Sequence, residues 1–331
     1  MSYLFNNIQM VVCSPLSKMT NYLFKLLTAG MLLLVIACSN SVQPVLEPEI
    51  DPILKQAVFS SAELAASTFA HAVKTADEDL LSKVISPDFY EVLQLDTLTG
   101  EDLDNFIAAW DTSHTLLAQG NDKMMLAIGK EQWTFPVPII ESSAGWHFDI
   151  EEGLERMRIR RIGRNELATM QTVLAYYDAQ MEYAEKDRNG DRILEYAQKF
   201  ISTPDTRDGL FWEVQANEKL SPLGTLLADR TPGRGYNGYF YRILTAQGVD
   251  AKGGAYNYLL GKHMRAGFAM IAWPEEYGES GIMSFIVSHT GIVYEQNLGS
   301  DGAGIAEKMP VYNPGKGWIA TQEVSLPQET K

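Results

Sequence analysis

The apolar positions along the chain change period three times. From residue 60 they recur every three or four residues, and Ala65, Phe69, Ala72, Val73 and Ala76 share one helical face. Ser60 with Glu63 forms a capping box ahead of them. Asp77 can cap a second helix, which must stop before Pro87. Thr99 with Asp102 caps a third, in which Leu103, Phe106, Ile107 and Trp110 make a buried stripe. The period then shortens, and residues 124–128, 133–140 and 146–150 read as strands joined by turns. Residues 165–186 return to the helical period, with Leu167, Met170, Leu174, Tyr177 and Met181 on one face and Val173 beside it. That helix ends at Asp187-Arg188-Asn189-Gly190-Asp191, whose Asn-Gly step is a strong turn signal. A short helix over 193–201, a loop over 203–209 and a helix start at Ser221-Pro222 are expected next. Strands follow at 239–244, 268–273, 282–287 and 292–296, the last two as a hairpin.

Helices followed by antiparallel strands, twice over, predict an α+β fold. A chain of 331 residues accommodates two such domains, at 57–152 and 153–320, with a tail at 321–331. Composition is ordinary for a globular protein, 46% hydrophobic and 21% charged, so wholesale disorder and fibrous folds are excluded. The net charge of −15 lacks the basic footprint that a phosphate-backbone binder needs, so nucleic acid is not an expected partner. Two cysteines cannot build a disulfide scaffold or a zinc ribbon.

Residues 1–37 read as an address rather than as fold. Lys18 and Lys25 precede an apolar run over 26–37, too short to span a hydrocarbon core of ~30 Å with margin. A basic stretch, a short apolar stretch and small residues at its end form a secretory signal. Its last residues, Val35-Ile36-Ala37-Cys38, resemble the bacterial lipobox. That resemblance implies cleavage before Cys38 and a diacylglycerol on its thiol, hence a membrane anchor on the periplasmic side of the envelope. Ser39 is compatible with outer-membrane sorting in such lipoproteins. Met19 is an alternative start that leaves a compact signal. Residues 38–56, with Pro44, Pro48 and Pro52, read as a tether.

Three groups of residues carry candidate chemistry. Asp187, Asn189, Asp191 and Glu195 stand at relative positions 1, 3, 5 and 9, so a tight turn can direct several oxygens to one calcium ion. The fit to a calcium loop is partial, because position 6 is Arg192 and position 12 is Gln198. The competing reading is a plain turn with Asp191 capping the next helix. Arg156, Arg158, Arg160, Arg161 and Arg164 form a basic cluster that can bind an anion, but residues 47–111 hold 14 acidic residues against three lysines. Pairing inside the chain or domain docking is the favoured reading. Tyr236, Tyr239, Tyr241, Tyr256 and Tyr258 can line a glycan-binding surface, although strand alternation places about half of them in the core. His71, His114 and His147 read as surface or core-edge residues, and His263 and His289 as strand-end residues. No nucleophile elbow, zincin, Walker or dinucleotide-binding motif is present in the sequence.

Several runs carry a closer resemblance. Residues 161–166, 187–198, 208–212, 238–248, 253–256 and 267–278, the last containing Trp273-Pro274-Glu275-Glu276-Tyr277-Gly278, occur in order. Together they resemble a bacterial envelope family catalogued as domain of unknown function 2950, over roughly residues 57–320. The element order of the first domain is similar to the NTF2-like superfamily, which implies a curved sheet around a helix. Asn165-Glu166 at a helix start, Ala179-Gln180 late in it, then Tyr183 and an Asp/Asn/Gly turn resemble the globular head of type IV pilins. The expectation is a non-catalytic, lipid-anchored cell-envelope protein acting as a binding or assembly module for an envelope protein or glycan. The alternatives are an envelope hydrolase using carboxylates at the domain interface and a small-ligand carrier using the first domain's cone.

Overall fold

A computed structural model describes residues 48–86, 100–214, 219–224 and 234–321. The signal, Cys38, Thr99 and the last ten residues of the tail lie outside the described residues. The chain divides into two units, one ending at Leu154 and one beginning at Glu155. Both mix helices with antiparallel sheet, so the α+β expectation is met. Among the described residues no helix is long and apolar enough to cross a membrane.

The first unit opens on a hairpin, β1 (Glu49–Asp51) against β2 (Gln56–Val58). Strand β1 and the first residue of β2 lie within the segment expected as a tether. The hairpin's anchor is Gln56, 5% exposed. The Gln56 amide donates to the carbonyls of Val84 at 2.9 Å, Ile85 at 3.1 Å and Phe148 at 2.9 Å. Helix α1 (Ala62–Thr75) is capped by Ser61, one residue later than the expected Ser60, and the Ser61 hydroxyl accepts from the Leu64 amide. Helix α2 (Glu78–Ile85) is capped by Asp77, as its sequence predicts. Helix α3 (Gly100–Thr112) precedes β3 (His114–Ala118), β4 (Lys123–Ile128), β5 (Trp133–Thr134), β6 (Ile139–Ser142) and β7 (Gly145–Phe148). These strands form one antiparallel sheet in the order β3-β4-β6-β7, with β5 paired to β4. The hydrophobic pattern does not predict β3, an edge strand whose residues are mostly exposed and therefore carry no alternation. Rings fill the core: Phe69 lies 4.7 Å from Phe135, 5.4 Å from Phe148 and 5.7 Å from Phe106.

Helix α4 (Ile150–Ala184) is 35 residues long and starts earlier than the expected residue 165. In the second unit it turns a different face inward from the one its apolar spacing suggested. Thr169, Val173, Tyr176, Gln180 and Tyr183 are buried, whereas Leu167, Leu174 and Met181 stay exposed. Hydrogen bonding explains the change, because the buried polar groups find partners. Tyr176 donates to the Ala269 carbonyl at 3.2 Å, and the Gln180 carbonyl and amide take both backbone groups of Ala197, each at 2.8 Å.

The remaining strands are β8 (Tyr239–Leu244), β9 (Ala246–Gln247), β10 (Tyr256–Asn257), β11 (Leu259–Leu260), β12 (His263–Met264), β13 (Ala269–Pro274), β14 (Ser284–Ser288), β15 (Val293–Gln296) and β16 (Ile319–Ala320). A short helix α5 (Gly302–Lys308) lies between the last two. The main sheet is antiparallel in the order β16-β15-β14-β13-β8, and β14–β15 is the expected hairpin. Every residue of β13 and β14 is buried. Successive strand residues point to opposite faces. Tyr241 meets Thr169 of α4 at 3.3 Å, while Arg242 reaches the Ala306 and Met309 carbonyls at 2.8 and 2.5 Å. Helices α4 and α5 therefore cover the two faces of this sheet. The expected helix over 193–201 does not form. Its backbone amides go elsewhere: Tyr196 donates to the Met264 carbonyl at 2.7 Å and Ile193 to the Asp191 side chain at 2.9 Å. After Ser221-Pro222 only a turn at 222–224 falls within the described residues.

Candidate functional site

The turn that ends α4 is held by its own side chains. Asp187 accepts from the amides of Gly190 and Arg192, both at 2.7 Å, so both of its oxygens serve the turn. Gly190 and Arg192 both have positive φ, at 82° and 68°. Glycine tolerates this freely, but arginine needs such clamping. Arg188 folds back onto the Glu182 carbonyl at 3.0 Å, placing a cation at the helix C-terminus, and lies over the Trp212 ring. Asn189 accepts from the Asp191 amide and donates to Asp191 Oδ2 at 3.2 Å and to Glu195 Oε1 at 2.5 Å.

The other three predicted cation ligands therefore gather on one side, and a residue not predicted as a ligand joins them. His263 Nδ1 lies 3.0 Å from Glu195 Oε2 and 3.5 Å from Asp191 Oδ2. The donor atoms of Asp191, Glu195 and His263 all lie within 4.8 Å of one another. A tight hairpin makes the approach possible. Gly261, with φ of 65°, turns β11 into β12 and places His263 beside the stretch that Gln180 fixes through Ala197. The Tyr196–Met264 bridge and the bond from Gln198 to the Lys262 carbonyl, 2.8 Å, lock the two segments in register. No feature of the sequence near residue 263 announces this contact; only the Gly261-Lys262 turn between apolar pairs hints at a hairpin.

These groups line an open cleft of about 210 Å³, together with Tyr183, Lys199, Asp208 and Lys262. The Glu195 and His263 side chains are 10% and 16% exposed. Burial, with Glu195 and Asp208 close by, holds the Tyr183 hydroxyl well above its usual ionisation range. Burial alone would raise the Asp208 carboxyl, but Lys199 at 2.6 Å and donors from Thr203 and Thr206 outweigh it and hold it well below the usual carboxylate range. The cleft thus has carboxylates on one wall and ammonium groups beside them.

The other candidates separate. Arg158 pairs with Glu155 and reaches the Gly278 carbonyl, and Arg161 pairs with Glu279 at 2.5 Å, so both find partners in the second unit rather than among residues 47–111. Burial and neighbouring guanidinium groups depress Arg160 and Arg164. Asn165 donates to the Ser280 carbonyl at 2.8 Å, and Glu166 accepts from the Ile282 and Met283 amides, each at 2.9 Å. The family-like pair at 165–166 is thus a clamp on the loop after Trp273-Pro274. Tyr239 and Tyr258 are fully buried and bond to the Met283 carbonyl and to Gln247, which removes both from any glycan platform. His71 is exposed, His114 stacks on Trp110 at 4.1 Å, and His147 is buried near the Gly145 carbonyl. His289 lies against Tyr258 and Phe268, and burial lowers its pKa.

No curated protein matches the chain, and no solved structure does. A family model described as Protein of unknown function (DUF2950) matches residues 56–321, which spans both units and includes the cleft. The chain belongs to that family.

Proposed function

We propose that the protein is a non-catalytic, lipid-anchored component of the cell envelope that binds a ligand or an envelope partner. In this reading Cys38 carries the anchor, the protein faces the periplasm from the outer membrane, the first unit is NTF2-like and the second is built like a pilin head. One observation carries the choice of a binding module over a small-ligand carrier. The interior of the first unit is occupied by Phe69, Phe106, Phe135 and Phe148, whereas the polar concavity lies in the second unit at Asp191, Glu195 and His263. A carrier needs an enclosed apolar space, and a filled core does not supply one. A second hollow, beside Tyr176 and Tyr241, is about 30 Å³ and has room for little more than water.

The test combines location with contact. Cells expressing the full chain are fed labelled palmitate and fractionated, and a photo-crosslinking residue is placed at Lys262 on the cleft rim. Membrane-bound, labelled protein giving one discrete envelope adduct is the expected result. Unlabelled protein in the soluble fraction, with no adduct on illumination, would sink the proposal.

A further inference from the structure

We propose that Asp191, Glu195 and His263 bind a divalent transition-metal ion of the zinc class. This rests on reading the cleft as a binding site, but not on the lipid anchor. The donor set is the first argument. Imidazole nitrogen with carboxylate oxygens suits borderline ions such as zinc, whereas calcium takes six to eight oxygens. The group that converges is Asp191, Glu195 and a histidine nitrogen, with Asp187 outside it, which is fewer oxygens than calcium takes.

The spacing is the second argument. Zinc holds nitrogen and oxygen at about 2.0–2.2 Å in a tetrahedron, so neighbouring donors sit about 3.3–3.6 Å apart. His263 Nδ1 stands 3.0 Å from Glu195 Oε2 and 3.5 Å from Asp191 Oδ2. The remaining donor pair also lies within 4.8 Å, so side-chain rotation suffices to bring the three onto one ion.

Orientation is the third argument. Metal-bound groups are normally held by further hydrogen bonds. Asn189 donates to both carboxylates, and the Ile193 amide fixes the other Asp191 oxygen at 2.9 Å. His263 is fixed through Met264 and Lys262, both bonded to the 196–198 stretch. Three protein ligands leave at least one coordination position open to the cleft, where water or an anionic group near Lys199 and Lys262 completes the shell. With the metal on Nδ1, the His263 ring ligates as neutral imidazole with its one proton on Nε2.

The experiment uses the untagged full chain in detergent, stripped with chelator, then titrated separately with zinc and with calcium. Zinc should bind at one equivalent and raise the melting temperature, and cobalt in its place should give a visible absorption band. His263→Gln should abolish the band, Asn189→Ala should weaken zinc binding by about 10–100-fold, and Asp187→Asn should leave zinc binding intact wherever the variant still melts cooperatively. Glu195→Gln gives a second reading if His263→Gln does not fold in chelator. Zinc binding below one equivalent overturns the proposal. So does equal binding by wild type and a folded His263→Gln, or stabilisation by calcium and not by zinc. A chain that pellets with membranes but takes no zinc removes this inference alone. A soluble chain that takes zinc removes the anchor reading alone.

Discussion

His263 Nδ1 lies 3.0 Å from Glu195 Oε2, although 68 residues separate the two in the chain. The distance is set by backbone that neither residue controls. Gln180 on α4 binds Ala197 through both halves of its amide, which places Glu195 two residues upstream. Tyr196 bonds to the Met264 carbonyl, which places His263 one residue upstream. The cleft is therefore an outcome of core hydrogen bonding, and damage to that bonding should reach it.

Gln180→Ala should cost about 2–3 kcal/mol, because it leaves the buried amide and carbonyl of Ala197 without partners. For a unit of this size that is a fall in melting temperature of several degrees. Tyr176→Phe, which removes one hydroxyl and keeps the ring, should cost about 1 kcal/mol. Thermal unfolding followed by circular dichroism checks both. Equal stability of Gln180→Ala and wild type would contradict the clamp.

Asp208 makes the stability of the second unit sensitive to acid. Its folded pKa is lowered below the unfolded value, so its contribution is fully present above about pH 4 and is lost as pH falls through the depressed folded value. The carboxylate is partly exposed, which screens the Lys199 pair, so Asp208→Asn should cost only about 1–2 kcal/mol at pH 7. Denaturant unfolding of both proteins at several pH values should show the gap closing as pH drops below 4. A gap that stays constant from pH 7 to pH 2 would assign the effect to shape rather than charge.

Gly267→Ala should destabilise by at least about 2 kcal/mol. Its φ of 153° is one that side chains rarely adopt, and a Cβ there would stand 2.7 Å from His289 Nδ1 and 2.8 Å from the Tyr258 ring. Gly254→Ala is the control, with positive φ but open space around it. Melting curves that rank Gly254→Ala below Gly267→Ala would contradict the packing argument.

Cys38→Ser should release the protein from membranes, since each buried methylene of an acyl chain contributes ~0.8 kcal/mol to anchoring. Fractionation with palmitate labelling reads it directly. Persistence of the variant in the membrane pellet, with no label on the wild type, would refute the anchor.

Much of the fold was legible because burial imposes a period. The apolar runs behind β8, β13, β14 and β15 stand between turn residues, and their strands begin within two residues of the expected positions. Asp77 announces α2 because a capping carboxylate is a local signal. The failures are equally physical. The residues at 193–201 have helical spacing, yet Gln180, Met264 and Asp191 take backbone groups that a helix would need. Helix α4 buries Thr169 and Gln180 because their partners are distant in sequence. The candidate cation site was half legible. Asp191 and Glu195 share one turn with Asn189, but His263 arrives from another hairpin, and no local pattern encodes that meeting.

Gln56 gives the start of the folded chain a mechanical grading. A pull applied ahead of residue 48 meets β1 at the open end of its hairpin, where Glu49 pairs with Val58, then Ile50 with Ala57 and Asp51 with Gln56. Those pairs load one at a time and unzip at low force. Beyond them stand the three bonds of the Gln56 amide and the paired backbone of Phe59 and Trp146, which bear load together. The register therefore predicts stepwise opening of residues 49–55 under load, ahead of a cooperative stop at Gln56 and the Phe59–Trp146 pair.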